Sequence, residues 1–348
     1  MGAGFSKAVA DLPLTKDMFD SFESVLKIQK ELGVNSSHIK RGEALFEELD
    51  DLQNKLLIFP YLNLMNGEKE ITPKNWRSNF EGICSYIDLN LAYQISSCTK
   101  DKHGEIGDLT TPPFELCKTS LQDFRRNISF YLYLTLINKK GDTVLLNKFY
   151  ENFLNDNSSI ISFNYDLVME SFLFEQGKWF PSDGYGIPFN IKGKSFSRSS
   201  EIQIFKMHGS LNWIDKDGNL ELVWNDTSIP HKFPDYPTDD FNIYFTAGTW
   251  MLPSFIKQFS IPKILEIWSR AAKQLTVAEE VLFIGYRLPP EDSAVYALLS
   301  NIDFTNKTIT VINPDKEIDA LKENYSRALR LSSSKIEFIS KPLQEVWL

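Results

Sequence analysis

The sequence predicts an α/β protein: an open parallel sheet with a large helical insertion, at about 20–155, after a first glycine-rich loop. Three observations predict it. The chain opens with the loop Gly2-Ala3-Gly4-Phe5-Ser6, and a long stretch of helical periodicity follows. From about residue 159 onward, short apolar runs rich in β-branched residues dominate. Such runs are typical of strands that are buried on both faces of a parallel sheet.

The predicted insertion consists of helices with apolar side chains at spacings of three and four. The first stripe is formed by Met18, Phe22, Val25 and Leu26. Gly33 ends it as a C-cap glycine does, and a second stripe covers 45–56. Thr72-Pro73 matches an N-cap and first helical position, so a third helix is predicted to begin there. Residues 119–137 and 143–154 are also predicted as helices, with their aromatic side chains in the core.

Five short apolar runs predict the parallel strands. They read SIISFN, IQIFKM, EVLFIG, KTITVIN and KIEFIS. Helical patterns follow three of them, over 166–176, 291–301 and 315–330. The segment LNWIDKDGNLELVW differs, because two alternating runs flank an Asp-Gly pair. That arrangement predicts a β-hairpin.

The composition is that of an ordinary soluble globular protein, with 43% hydrophobic and 24% charged residues. The net charge of −9 argues against nucleic acid or an anionic membrane as a partner. Cys84, Cys98 and Cys117 are far apart and form no C-x-x-C pair, so neither a zinc ribbon nor a disulfide framework is predicted. For the same reason we expect that the protein binds no metal. With no leader-like segment and no bilayer-length apolar run, we expect it to be cytoplasmic.

Polar and small residues follow four of the predicted strands. They are Asn164-Tyr165-Asp166, His208-Gly209-Ser210, Gly285-Tyr286 and Asn313-Pro314-Asp315. Ligands of open α/β sheets bind beyond the carboxyl ends of the strands, so these positions predict a binding site. Each also has a structural interpretation: the asparagines suit helix N-caps, Gly285 suits a turn, and His208 suits a buried structural histidine.

Taken in order, the motifs GAGFS, SFNYD, MHGS, GYRLPPED and INPD resemble those of the sirtuin-like NAD hydrolases of prokaryotes. Sirtuins proper carry a GAG-x-S loop, a T-Q-N-x-D motif and an H-G dipeptide at the corresponding places. The long segment from LPSFIKQF to AVYALL is also similar to the late part of that family. The resemblance implies a Rossmann-like, NAD-binding domain over 1–348 that carries the helical insertion.

The resemblance also implies roles for individual residues, with NAD as the substrate. Asn164 would orient the nicotinamide ribose and the attacking water, Asp166 would hold the nicotinamide carboxamide, and His208 would act on the ribose hydroxyls. The remaining implied contacts to NAD are made by Gly2, Ala3, Gly4, Phe5, Ser6, Gly209, Gly285, Tyr286 and Asn313. The first loop would cradle the pyrophosphate and the nicotinamide ribose, as glycine amides at a helix start can, and Gly285 and Asn313 would line the adenosine side.

The implied activity is hydrolysis of NAD to nicotinamide and ADP-ribose, as the effector of an anti-phage, abortive-infection system. The implied partners are further copies of the chain and a sensor or ATPase subunit of the same system. Two alternatives are a non-catalytic module that binds NAD or ADP-ribose and an NAD-dependent protein deacylase. Three scattered cysteines cannot supply the four-cysteine zinc module of sirtuin deacylases, which disfavours the latter.

The glycine-rich loop departs from the family pattern in one respect. The family's loop follows an apolar strand, and here the loop begins at Gly2. Either the start of the sequence is truncated, or a neighbouring subunit or another segment takes the place of that strand. A loop without this support is expected to be mobile until an assembly partner orders it. Activity is accordingly expected to depend on assembly.

Overall fold

The computed structural model describes residues 1–33, 36–54, 62, 71–72, 75–98, 118–137, 139–189, 198–216, 219–222, 262–289, 292–314 and 318–346. These residues have a mixed α/β structure that is mostly helical and contains small parallel sheets. They divide into two compact units. The first comprises Met1–Leu14, Leu136–Met251 and Lys257–Leu348, and the second comprises Thr15–Thr135 and Leu252–Ile256.

Along the chain, helices precede and follow the predicted insertion and also lie within it. In chain order they are α1 (Ala3–Ala10), α2 (Met18–Glu31), α3 (Ser36–Asn54), α4 (Phe80–Cys98), α5 (Lys118–Leu136), α6 (Thr143–Phe153), α7 (Val168–Glu175), α8 (Pro262–Val277), α9 (Ser293–Ser300), α10 (Ile318–Leu329) and α11 (Leu343–Val346). The helices predicted over 119–137 and 143–154 are confirmed as α5 and α6. Gly33, with a φ of 63°, follows the end of α2 as predicted.

The second unit contains α2, α3, α4 and most of α5. Its core includes three phenylalanines in edge-to-face contact, with ring centroids 5.1 to 5.9 Å apart: Phe19, Phe22 and Phe80. Phe124, Phe130 and Tyr131 of α5 are buried as well, so the prediction that its aromatic side chains lie in the core is confirmed for them. Aromatic pairs in this geometry add to the stabilisation that comes from burial alone.

One predicted helix begins later than expected. The Thr72 amide and hydroxyl both donate to Asn75 Oδ1, at 2.7 and 3.2 Å, so Thr72 closes a local turn instead of capping a helix. A 3-10 turn follows, and α4 begins only at Phe80. There, Asn79 Oδ1 accepts from the Gly82 amide at 2.9 Å, which is how an N-cap side chain acts.

The strands of the first unit form two parallel sheets and a hairpin. They are β1 (Ser159–Ser162), β2 (Gln203–Lys206), β3 (Trp213–Lys216), β4 (Asn219–Leu222), β5 (Glu280–Ile284), β6 (Thr308–Ile312) and β7 (Glu337–Ile339). β1 pairs with β2, and β5, β6 and β7 form a three-stranded sheet in that order. The antiparallel pair of β3 and β4 is the predicted hairpin. All five apolar runs are therefore confirmed as parallel strands, although the described strands form two small sheets and not the one open sheet that was predicted.

The backbone of the first two residues lies between these two parallel sheets. The Met1 nitrogen donates to the Ile161 carbonyl oxygen of β1 at 2.7 Å. The Gly2 amide donates to the Ile284 carbonyl oxygen of β5 at 3.0 Å. The residue after β1 and the residue after β5 therefore both lie beside the start of α1, which brings several predicted site residues to one place.

Candidate functional site

Ser6, Asn164 and Asp166 form a hydrogen-bonded cluster that joins the glycine-rich loop to the turn after β1. The Ser6 hydroxyl donates to Asp166 Oδ2 at 2.7 Å, and Asn164 Nδ2 donates to Ser6 Oγ at 2.8 Å. Asn164 Nδ2 also donates to the Gly2 carbonyl oxygen at 3.0 Å. Ser6 and Asp166 are buried, and Asn164 is half-buried. The structure thus brings together three residues predicted from two distant motifs.

Asp166 also stabilises the start of the following helix. Its Oδ1 accepts a hydrogen bond from the Val168 amide at 3.1 Å, where α7 begins. A carboxylate in this position satisfies an amide that has no partner inside the helix. Both oxygens of Asp166 thus have a partner within the protein. Its implied contact with a nicotinamide carboxamide stays a prediction.

Gly2, Gly4 and Gly285 allow two backbone segments to approach closely. A Cβ on Gly2 would lie 2.7 Å from the Gly285 carbonyl oxygen, and one on Gly4 would lie 2.8 Å from the Gly285 Cα. Gly285 has a φ of 59°, and a Cβ there would overlap the Phe5 amide nitrogen. These glycines therefore have a packing role that the sequence did not indicate. The amides of Gly4 and Phe5 are also engaged, with the carbonyl oxygens of Gly285 and Gly2, both at 2.9 Å.

The glycine-rich loop receives hydrogen bonds from the ends of the neighbouring strands. The Phe163 amide, directly after β1, donates to the Met1 carbonyl oxygen at 3.0 Å, and Asn164 holds the Gly2 carbonyl oxygen. On the other side, the Gly2 and Gly4 amides donate to Ile284 and Gly285. The ends of β1 and β5 thus supply the loop with support that was expected to be missing.

Replacing Gly285 by alanine should destabilise the protein more than a positive φ alone explains. Gly177, with a φ of 69°, is the matched control, because its added Cβ would come no closer than 4.0 Å to Arg198 Nη1. Gly177→Ala should lower the free energy of unfolding by about 1 kcal/mol, and Gly285→Ala by roughly 3 kcal/mol or more. Urea unfolding measures both. Equal losses would mean that the contact with Phe5 is not tight.

His208 is buried, with 5% of its surface exposed, and lies beside a carboxylate. Its Nε2 is 3.3 Å from Asp292 Oδ1. The other oxygen of Asp292 accepts a hydrogen bond from the Tyr286 hydroxyl at 2.6 Å. Burial, followed by the charge of Asp292, raises the pKa of Tyr286 well above its ordinary value, which keeps this hydroxyl protonated. Asp292 therefore links two of the predicted site residues.

Phe163 brings this group next to the Asn164 cluster. Its ring stacks on Tyr286, with centroids 4.2 Å apart and planes inclined by 12°. It also contacts the His208 ring at a centroid distance of 5.4 Å. Because Phe163 directly precedes Asn164, the His208 group and the Asn164 cluster are neighbours.

Asp292 is the residue that the sequence analysis missed. It lies within the GYRLPPED motif, yet its position before α9 is typical of a helix cap. Its side chain makes no capping hydrogen bond, and it is 5% exposed. A buried aspartate that does not cap its helix points to a tertiary partner, but only the fold identifies that partner as the Tyr286 hydroxyl and places His208 beside it.

The remaining residues that were predicted to contact NAD belong to neither the Asn164 cluster nor the His208 group. Ala3 begins α1, and the buried ring of Phe5 packs on Phe149 at a centroid distance of 5.0 Å. Gly209, with a φ of 90°, turns the chain after β2. Asn313 is 7% exposed, and its Nδ2 has no hydrogen-bond partner in the part of the chain that the structure describes. Asp315 lies outside the described residues.

Two further findings concern metals and membranes. Among the described residues there is no group of three or more His, Cys, Asp or Glu side chains that could hold a metal ion. In the same residues, no helix has the length and apolar character needed to cross a membrane. Cys84 is buried in α4, and Cys117 lies outside the described residues.

No protein-family model matches the chain, and no curated protein is significantly similar to it. The resemblance to sirtuin-like NAD hydrolases therefore rests on the motifs themselves. What the structure adds is the placement of residues from the motifs GAGFS, SFNYD, MHGS and GYRLPPED around one end of the parallel strands.

Proposed function

We propose that the chain is an NAD hydrolase with a Rossmann-like NAD-binding domain, which cleaves the bond between nicotinamide and ribose. The observation that carries the proposal is the hydrogen-bonded cluster of Ser6, Asn164 and Asp166. It joins a glycine-rich loop at a helix start to a polar turn after a parallel strand. That is where open α/β sheets bind phosphate-containing ligands.

The chemistry of this reaction suits the side chains present. Nicotinamide is positively charged in NAD and leaves as a neutral molecule, so no strong general acid is needed. The transition state resembles the oxocarbenium ion of glycoside hydrolysis. Water adds to the ribose carbon, and one proton is released with nicotinamide and ADP-ribose. The protein must therefore orient the ribose, stabilise positive charge and place a water molecule.

The proposed roles of Asn164 and His208 are those that the resemblance implies, and the described contacts support them. Asn164, which is half-buried at the edge of its cluster, orients the ribose and the water. His208 acts on the ribose hydroxyls, and Asp292 orients the His208 ring through Nε2. Asn313 offers a buried amide donor, which fits a ligand that has many acceptor atoms.

We further propose the biological setting that the resemblance suggests. The chain would act in the cytoplasm as the NAD-depleting effector of an anti-phage system. It would work as an oligomer, in complex with a sensor or ATPase subunit. The alternative of a non-catalytic binding module is favoured by one observation: Asp166 and Asn164 already bond within the protein.

Incubation of the purified chain with NAD, followed by chromatography, tests the proposal. Equal amounts of nicotinamide and ADP-ribose should appear, at a rate that rises more steeply than protein concentration if assembly is required. Intact NAD together with measurable binding would favour the binding module. Turnover only with an acylated peptide would favour a deacylase, and neither binding nor turnover, including with the products of neighbouring genes, would contradict all three.

Replacing Asp292 by asparagine should lower kcat by about 10- to 100-fold, the usual effect of losing a partner that orients a functional histidine. Asparagine retains an acceptor for Tyr286, so the fold should persist. Asp303→Asn is the control, because Asp303 is an exposed aspartate whose side chain accepts hydrogen bonds from the nearby Thr305. Steady-state kinetics measures both variants. A kcat at the wild-type level in Asp292→Asn would remove Asp292 from the site.

A further inference from the structure

A buried ion pair lies directly beneath the Asn164 turn. Lys206, at the end of β2, and Glu170, on α7, are each 1% exposed, and Lys206 Nζ is 3.1 Å from Glu170 Oε1. Burial raises the pKa of Glu170, and the charge of Lys206 acts against that rise. Taking two charges out of water is expensive, and an apolar pair of similar volume is often as stable. The pair is therefore not explained by stability alone.

Lys206 also forms a hydrogen bond with the backbone of the turn at the candidate site. Its Nζ donates a hydrogen bond to the main-chain carbonyl oxygen of Asp166. The side chain of that same residue accepts from Ser6 and from the Val168 amide. One ammonium group thus connects the carboxylate of α7 with the backbone of the turn that carries Asn164.

A second set of contacts leads from Glu170 to the turn after β2. The buried Tyr185 hydroxyl lies 3.4 Å from Glu170 Oε1 and donates to Asn212 Oδ1 at 3.1 Å. It is also 3.5 Å from the Ser210 hydroxyl. Ser210 follows His208 and Gly209 in the chain. The same buried network therefore touches both turns that carry the proposed catalytic residues.

We propose that Lys206 and Glu170 are positioning residues, which fix the Asn164-Tyr165-Asp166 turn relative to the His208 turn. A lysine can satisfy a carbonyl oxygen and a carboxylate at once, whereas an apolar side chain in its place can satisfy neither. The catalytic part of this proposal rests on the proposed NAD hydrolysis. The structural part, the order of the turn, does not.

The test replaces the pair by two apolar side chains of similar length, in the double variant Lys206→Met/Glu170→Met. The more accessible pair Lys178 and Glu201, with side chains 26% and 46% exposed, provides the matched control, Lys178→Met/Glu201→Met. Amide hydrogen exchange across 164–168 and the kinetics of NAD cleavage are measured in both. Exchange across β6 serves as an internal reference for global stability.

In the Lys206/Glu170 variant, amides across 164–168 should exchange at least about 10-fold faster while those of β6 stay unchanged. Its kcat should fall by about 100-fold, because a displaced functional group loses that much, and its KM should change less. The control variant should match the wild type in both measurements. Unchanged exchange across 164–168, or a wild-type kcat, would overturn the proposal.

Two further outcomes are distinguishable. If the wild type does not cleave NAD, the proposed function fails, and the exchange measurement still decides the positioning role. If the double variant does not fold, Glu170→Gln is measured instead, since it keeps the volume and removes only the charge. Glu170→Gln should show the same local increase in exchange. Loss of folding in both variants would make the pair a stability element and overturn the proposal.

Discussion

Replacing His208 by glutamine is expected to lower kcat for NAD cleavage by about 100-fold or more, the scale on which a positioned acid or base contributes. Glutamine is the informative substitution because His208 is buried against Asp292 and Phe163. Alanine would leave a cavity and remove a partner from a buried carboxylate, so its effect would mix folding with chemistry. A glutamine amide can still donate to Asp292, but it cannot take up a proton.

The matched control for this variant is His38→Gln. His38 is the other histidine with a described ring packing, against Phe130 at 5.0 Å, and it lies in the second unit. That variant should keep wild-type turnover. Thermal unfolding of both variants shows that they are folded, and a rapid-quench assay of nicotinamide release gives kcat. Wild-type turnover in His208→Gln would assign His208 a structural role.

The strands could be predicted from the sequence because each contains successive apolar residues that are buried. In β6, Val311 and Ile312 are both buried, and in β2, Ile204 and Phe205 are, so these strands have apolar side chains on both faces there. The position of the polar turns then follows from the topology, since parallel strands end at the same edge. This is why the turns after four of the strands could be predicted to form one site, whereas GAGFS was assigned to that site by the family resemblance.

Side-chain partners could not be predicted in the same way. A lysine that ends an apolar strand normally reaches solvent, and only the fold shows that Lys206 is buried against Glu170. Asp292 stands at the N-cap position of α9, but its side chain accepts from the Tyr286 hydroxyl and makes no capping hydrogen bond. Periodicity records which face of an element is buried, but not which polar groups meet there.

Local competition explains the one helix that was predicted to begin too early. Thr72-Pro73 has the composition of a helix start, but the Asn75 side chain takes both donors of Thr72 into a turn. Asparagine side chains compete with helices for backbone donors in this manner. The sequence contained both signals and gave no measure of their relative strength.

Replacing Asn164 by alanine is expected to reduce kcat by about 100-fold or more while NAD binding remains measurable. NAD binding should remain because most of the binding area of NAD lies at its phosphates and adenosine, away from the cleaved bond. Asn164→Ala also removes the donors to Ser6 Oγ and the Gly2 carbonyl oxygen. The free energy of unfolding should therefore fall by about 1 to 2 kcal/mol.

Calorimetry with NAD, together with steady-state kinetics, separates the two roles that the structure allows Asn164. The control is Asn301→Ala, because Asn301 is an exposed asparagine whose Nδ2 likewise donates to a main-chain oxygen, that of Ala297, at 2.7 Å. It should lose neither turnover nor affinity. If Asn164→Ala loses all NAD binding while remaining folded, Asn164 acts mainly by holding the glycine-rich loop through Gly2 and Ser6. If it loses turnover and keeps its affinity, its amide acts at the cleaved bond, which is the role proposed here.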